Sequence, residues 1–176
     1  WFNVNKLSLN VQKTNYMVFS KKRVFMDSNV QINNSTIERV HCTKFLGVLI
    51  DDKLSWSQHI NKLATKLSKC CAVMYKAKFL IDSSSLLVIY NSLFLPYLNY
   101  CSEIWGNSYK TKLQCVLVMQ KRAIRIVCDA GKLAHTNKLF FELNTLKFPD
   151  IVEYRTLMVM FKAHHDLLPR NLQDRK

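Results

Sequence analysis

Phe45-Leu46-Gly47-Val48-Leu49-Ile50-Asp51-Asp52-Lys53-Leu54-Ser55-Trp56 is the stretch on which the reading of this chain turns. A short apolar strand breaks at a glycine, turns on two aspartates and then enters a helix. That helix is basic and amphipathic, which points to a polyanion held against a strand-and-helix scaffold. Thr43 to Ile50 is rich in β-branched and aromatic residues and reads as a strand. Ser55 is the natural N-cap of the basic helix.

Downstream, Ile60, Leu63, Ala64, Leu67, Cys71 and Met74 recur at helical spacing between Trp56 and Phe79. At about 100° per residue, Lys62, Lys66, Lys69 and Lys76 fall on the opposite side. No acid lies between Asp52 and Asp82 to neutralise them. A second helix is predicted over Lys112–Cys128, with Leu113, Val116, Leu117, Ile124 and Val127 as its apolar stripe. Lys121, Arg122 and Arg125 lie away from that stripe, and Gly131 is the stop signal. A third is predicted over Asp150–Asp166, with Pro149 just before it, Pro169 after it, and Ile151, Tyr154, Met158 and Phe161 on one face. Leu86 to Trp105 contains Asn91, Ser92, Pro96, Asn99, Ser102 and Glu103. That is too polar for a membrane span, and it reads as a buried helix bent or broken near Pro96.

Upstream the signals are shorter. Trp1 to about Leu7 reads as a helix, Thr14–Ser20 as a strand and Met26–Ile32 as a weaker strand. Asn33-Asn34-Ser35 is a turn signal between Val30-x-Ile32 and Ile37. The expected fold class is α+β, predominantly α-helical. A small β-containing part over residues 1–54 precedes a helical bundle over residues 55–176.

Composition narrows the partners. The chain has 176 residues, 49% of them hydrophobic, which suffices for a real core. Lys and Arg total 26 against 12 acids, a formal charge of +14, and the pI is about 9.7. This balance suits nucleic acid. The plainer alternative for any single lysine is a solvated surface charge. Six cysteines, Cys42, Cys70, Cys71, Cys101, Cys115 and Cys128, form no C-x-x-C pair. Buried reduced thiols in a cytoplasmic or nuclear protein are the simplest account. No metal site is expected, since His164-His165-Asp166 has no cysteine nearby. No signal peptide is visible and no membrane partner is expected. With Trp1 in place of an initiator methionine, the chain reads as a piece of something longer.

Asp51-Asp52 could in principle hold two Mg²⁺ ions for nucleotidyl transfer. The preceding Leu49-Ile50 and the following Lys53 favour a solvated turn instead. Trp56 and Trp105 could stack on bases, but core packing is the simpler role.

Three groups of motifs carry a resemblance. The first is Leu7-Ser8-Leu9-Asn10-Val11-Gln12-Lys13-Thr14-Asn15-Tyr16-Met17-Val18-Phe19. The second is Thr43-Lys44-Phe45-Leu46-Gly47-Val48-Leu49-Ile50-Asp51. The third comprises Leu54-Ser55-Trp56-x-x-His59-Ile60, Pro96-Tyr97-Leu98-x-Tyr100-Cys101-x-x-x-Trp105-Gly106 and Gln120-Lys121-Arg122-Ala123-x-Arg125. In this order they resemble the C-terminal part of the reverse transcriptase of a non-LTR, jockey-like retrotransposon.

The resemblance implies the end of the palm followed by the thumb of a right-hand polymerase. It implies that Lys13 is a general acid toward departing pyrophosphate, against a structural or phosphate-neutralising lysine. It implies that Phe45, Leu46 and Gly47 form the primer grip, with Gly47 letting backbones approach and Phe45 and Leu46 anchored in the core. It also implies an RNA–DNA or DNA duplex and the rest of the polymerase (fingers and palm) as partners. Mg²⁺ would serve the full-length enzyme, with no cofactor in this segment. The family's Tyr-Ala-Asp-Asp carboxylates have no counterpart here, so no activity is expected from the segment alone. The alternatives are a non-enzymatic nucleic-acid-binding module, the product of a decayed element, or a helical adaptor docking through Leu86–Trp105.

Overall fold

The computed structural model describes residues 2, 4–20, 30–32 and 34–169. The protein is α+β and mainly helical. It divides into two compact units with the break between His59 and Ile60.

The first unit is built from two-stranded ladders. β1 (Asn15–Tyr16) runs parallel to β4 (Glu38–Arg39). β2 (Gln31–Ile32) and β3 (Ser35–Thr36) are antiparallel, with Ile32 opposite Ser35, and Asn34 has φ 59°. The anticipated strand over Thr14–Ser20 is thus confined to two residues. Of the strand anticipated over Met26–Ile32, residues 26–29 lie outside the description. The expected helix before Leu7 is a turn over residues 4–6, in which Leu7 N–H donates to the Phe2 carbonyl (2.9 Å). Trp1 and Asn3 lie outside the described residues.

The single strand expected over Thr43–Ile50 is instead a hairpin. β5 (Cys42–Phe45) pairs antiparallel with β6 (Val48–Asp51), Phe45 opposite Val48. Leu46 (φ 44°) and Gly47 (φ 89°) form its two-residue loop. Positive φ at both loop positions matches the right-handed twist of the strands. Gly47 takes this conformation freely, whereas Leu46 is held in it against its preference.

Asp51 ends β6 and is buried. Its carboxylate accepts N–H bonds from Ser55 (2.9 Å), Trp56 (2.9 Å) and Lys53 (3.2 Å), and the Ser55 hydroxyl (3.2 Å). Asp51 is therefore no solvated turn residue. It organises the approach to α1 (Ser57–Ala77), while Ser55 Oγ receives the Ser57 N–H (3.4 Å). Asp52 instead meets His41 Nδ1 at 2.7 Å.

The second unit is helical. Ile60, Leu63, Leu67, Cys71 and Met74 of α1 are buried. α2 (Ser83–Ile89) continues through a π turn, Tyr90–Phe94, into α3 (Leu95–Asn99). Leu95 N–H donates to the Tyr90 carbonyl five residues back. The wider turn lies directly before Pro96, whose ring would crowd the carbonyl four residues earlier and which brings no N–H. The bend or break anticipated near Pro96 is thus a widening of a continuous helix. Cys101 (φ 52°) then redirects the chain into α4 (Ser102–Trp105).

α5 (Lys110–Val127) buries Val116, Ala123, Ile124 and Val127, together with Gln120. α6 (Thr136–Glu142), which no sequence signal announced, and α7 (Phe148–His164) follow. Pro149 lies inside the first turn of α7 rather than before it, where its missing N–H costs nothing. Only Phe148, Ile151 and Val152 of α7 are buried, and Tyr154 and Phe161 are more than half exposed. The face expected to run from Ile151 to Phe161 is therefore buried at its start alone.

Gly131 does not stop α5. Asp129 (φ 47°) takes the left-handed position, with Ala130 N–H donating to the Arg125 carbonyl (2.9 Å) and Asp129 N–H to the Ile126 carbonyl (3.3 Å). Asn144 does the same after α6, and Asp166 after α7. Asn and Asp tolerate this conformation best after Gly, and this chain has only 3 Gly.

Gln120 is the polar knot of the core. Its Nε2 donates to Tyr90 Oη (3.0 Å) and to the Leu146 carbonyl (2.9 Å). Its Oε1 accepts the Phe148 N–H (2.7 Å). One amide thus joins the π turn, α5 and the start of α7. Beside it, Trp105 is fully buried and stacks on Phe148 (ring centroids 5.3 Å), so it belongs to the core. Gly106 comes next, where a Cβ would collide with the Ser102 carbonyl oxygen and a Val152 methyl.

Candidate nucleic-acid interface

α1 carries the longest basic surface. Lys62, Lys66, Lys69 and Lys76 are all exposed, opposite the buried stripe. Lys66 Nζ lies 5.0 Å from the centroid of the Tyr97 ring, a cation–π contact that steadies one member of the row. Among the described residues no carboxylate forms an ion pair with any of the four.

On α5 the three predicted cations separate. Lys121 is half-buried and Arg122 is exposed. Arg125 Nε donates to the Ala134 carbonyl (2.9 Å), bracing the loop before α6. Arg122 and Arg125 line a cavity of about 430 Å³ together with Tyr75, Lys78, Val118, Ile126, Ala130 and Lys132. Sequence reading missed Lys78, Lys132 and Tyr75. Lys78 falls on the side of the apolar stripe, four residues after Met74, and Lys132 lies in a loop, so neither joins a basic row. Lys78 Nζ pairs with Asp129 Oδ1 at 2.6 Å, and the hydrogen bond to that carboxylate raises the lysine above its usual pKa.

The hairpin tip differs from expectation. Phe45 is 61% exposed and Leu46 74%, so neither is anchored in the core. A two-residue loop projects its flanks outward, which a straight strand would not. Phe45, Leu46 and Gly47 do meet at one exposed turn. Lys13 is exposed at the end of a short 3₁₀ turn, Val11–Lys13, where Asn10 Oδ1 accepts its backbone N–H (3.2 Å).

Among the described residues no group of three or more His, Cys, Asp or Glu could hold an ion. Asp51 is occupied by backbone. Burial by itself would raise its pKa, but the Ser55, Trp56 and Lys53 N–H groups and the Ser55 hydroxyl outweigh that and hold it below the usual carboxylate value. Among the described residues, Asp51 is thus committed to these donors rather than open to Mg²⁺. All six cysteines are free thiols. Cys71 is buried, which pushes it up to about 11, and the other five are half-buried rather than buried. No described helix is long and apolar enough to cross a membrane.

Neither a protein-family model nor a solved structure matches the chain. Curated proteins do. The chain is 23% identical over 174 residues to a probable RNA-directed DNA polymerase from transposon X-element of Drosophila melanogaster, covering 97% of this chain and 18% of the relative. It is 23% identical over 175 residues to the corresponding protein from transposon BS of the same species, covering 94% and 19%. It is 25% identical over 150 residues to the RNA-directed DNA polymerase from mobile element jockey of Drosophila funebris, covering 83% and 16%. The chain spans less than a fifth of the length of these curated relatives. It is thus related, over most of its length, to one segment of the RNA-directed DNA polymerases of non-LTR retrotransposons.

Proposed function

We propose that this chain is the end of the palm and the thumb of a reverse transcriptase, holding the primer–template duplex while catalytic carboxylates and Mg²⁺ are supplied elsewhere in the longer enzyme. The observation that carries this reading is the acid-free lysine row of α1, rigidly displayed opposite a buried stripe, in a chain related to polymerases. Lysines at helical spacing neutralise successive phosphates and bind duplex without reading its sequence. The exposed Phe45-Leu46-Gly47 turn suits a grip on the primer strand, since a tip of this kind can be pressed against sugar and base. Lys13 is free of a core role and remains the candidate general acid once the pyrophosphate site is completed. Lys121 and Arg122 add positive charge on α5, whereas the Arg125 guanidinium is held by the Ala134 carbonyl.

The test is binding of an RNA–DNA hybrid across a salt series, beside Lys62→Gln/Lys69→Gln. If both lysines meet phosphate, the slope of log affinity against log salt falls by about 1.8, from ~0.9 per contact. Wild-type binding that ignores salt, or a double variant with an unchanged slope, would refute the reading.

A further inference from the structure

The cleft at the end of α1 offers more than a charged surface. Four cations, Lys78, Arg122, Arg125 and Lys132, line it together with Tyr75 and the apolar walls of Val118 and Ile126. Two of the cations are committed within the fold. Lys78 pairs with Asp129, and Arg125 holds the Ala134 carbonyl through Nε. Both also lie near helix C-termini, where cations are favourable in any case. Arg122 and Lys132 have neither duty. Both are exposed, and among the described residues no carboxylate pairs with them.

An aromatic surface adjoins these cations. Tyr75 is 49% exposed and Phe79 70%, their rings set edge to face at 5.7 Å. Lys78 Nζ lies 5.3 Å from the Tyr75 centroid and 5.1 Å from that of Phe79. The cation beside both rings is the paired Lys78, while Arg122 and Lys132, without a carboxylate partner among the described residues, line the same cleft as Tyr75. A site for a bare anion needs no aromatic wall, and a purely apolar ligand needs no guanidinium. Exposed rings beside cations are the arrangement that receives bases and phosphates of an unpaired strand.

We infer that this cleft takes one nucleotide unit of a single strand, its phosphate between Arg122 and Lys132 and its base across Tyr75. The inference rests on the proposed nucleic-acid function but names a separate site, apart from the α1 lysine row.

The experiment uses the full 176-residue chain and fluorescein-labelled single-stranded oligo-dT, with poly-L-glutamate as a polyanion lacking bases and the RNA–DNA hybrid as duplex. Arg122→Gln/Lys132→Gln should lower the single-strand salt slope by about 1.4, from ~0.7 per contact, and weaken binding roughly 25-fold at 0.1 M salt. Tyr75→Leu should weaken single-strand binding at least about fivefold at unchanged slope, the low end of what one stacked base contributes. It should leave poly-L-glutamate binding alone. Circular dichroism melts matching wild type establish that both variants fold. Cleft variants that bind oligo-dT like wild type, while Lys62→Gln/Lys69→Gln weakens hybrid binding, would overturn the cleft alone. Equal loss of poly-L-glutamate and oligo-dT on Tyr75→Leu would overturn base recognition. Wild-type protein that binds neither nucleic acid would overturn the cleft and the broader reading together.

Discussion

Replacing Gln120 with leucine tests whether the helical unit depends on this buried amide. The two side chains are similar in volume, so the substitution removes hydrogen bonds and leaves the packing nearly filled. Three groups lose their partner: the Phe148 N–H, Tyr90 Oη and the Leu146 carbonyl. Leu146 is half exposed and its carbonyl can turn to water. Phe148 and Tyr90 are buried, and burial already pushes the Tyr90 phenol up to about 12. Two orphaned buried groups at ~1–3 kcal/mol each, less a gain from the added apolar surface, give a loss of about 3 kcal/mol. With an m-value of ~2 kcal/mol/M, the urea midpoint should fall by about 1.5 M. The unfolding would be followed by far-ultraviolet circular dichroism, which reports the helices. Tyr90→Phe in the Gln120→Leu background should recover about 1 kcal/mol, because it removes one of the two orphans. A loss under 1 kcal/mol, or additive single and double variants, would refute the claim that this amide is the junction.

Two further perturbations probe other joints. Gly106→Ala should cost about 1–3 kcal/mol, because the added methyl meets the Ser102 carbonyl oxygen and Val152; Val152→Ala should restore only part, and full restoration in thermal melts would show that the carbonyl clash relaxes freely. Asp51 is held below its usual pKa, so its stabilising contribution is present above the unfolded-state value and fades as the pH falls below about 4. Asp51→Asn should cost about 2 kcal/mol at neutral pH and flatten that acid limb, read by tryptophan fluorescence, to which Trp56 beside Asp51 contributes; an acid limb identical to wild type would sink the assignment.

The sequence made some of these elements plain and hid others for identifiable reasons. The buried stripes of α1 and α5 were legible because long periodic runs leave little choice of face. Gln120 was not, because a polar residue on an apolar stripe shows its purpose only when the three groups it joins are in place. Phe45 and Leu46 read as core because they are apolar residues in a strand pattern, whereas Gly47 turns the chain there and exposes them. Gly131 drew the helix stop that Asp129 in fact provides. The cleft beside Tyr75 escaped notice because its cations come from a helix end, a helix middle and a loop. The lower half of α7 is the converse case: helical periodicity was correct, but periodicity cannot say whether a partner surface is present.

The π turn over Tyr90–Phe94 bears on how this sequence can change length. Tyr90, Phe94 and Leu98 are spaced four apart, and all three are fully buried. In an uninterrupted α-helix a spacing of four advances about 40° at each step, so three such residues would drift off a common line. A turn closed by a five-residue hydrogen bond takes up more residues per revolution and cancels much of that drift. A deletion of one residue here would heal the turn into ordinary helix, and because the wider turn absorbs about one extra residue, Leu98 and the segment beyond it would keep nearly their orientation. A single-residue deletion inside the turn therefore keeps the core in frame, whereas one elsewhere in the helix would shift everything beyond it by about 100° and require the apolar residues on one side to be rewritten.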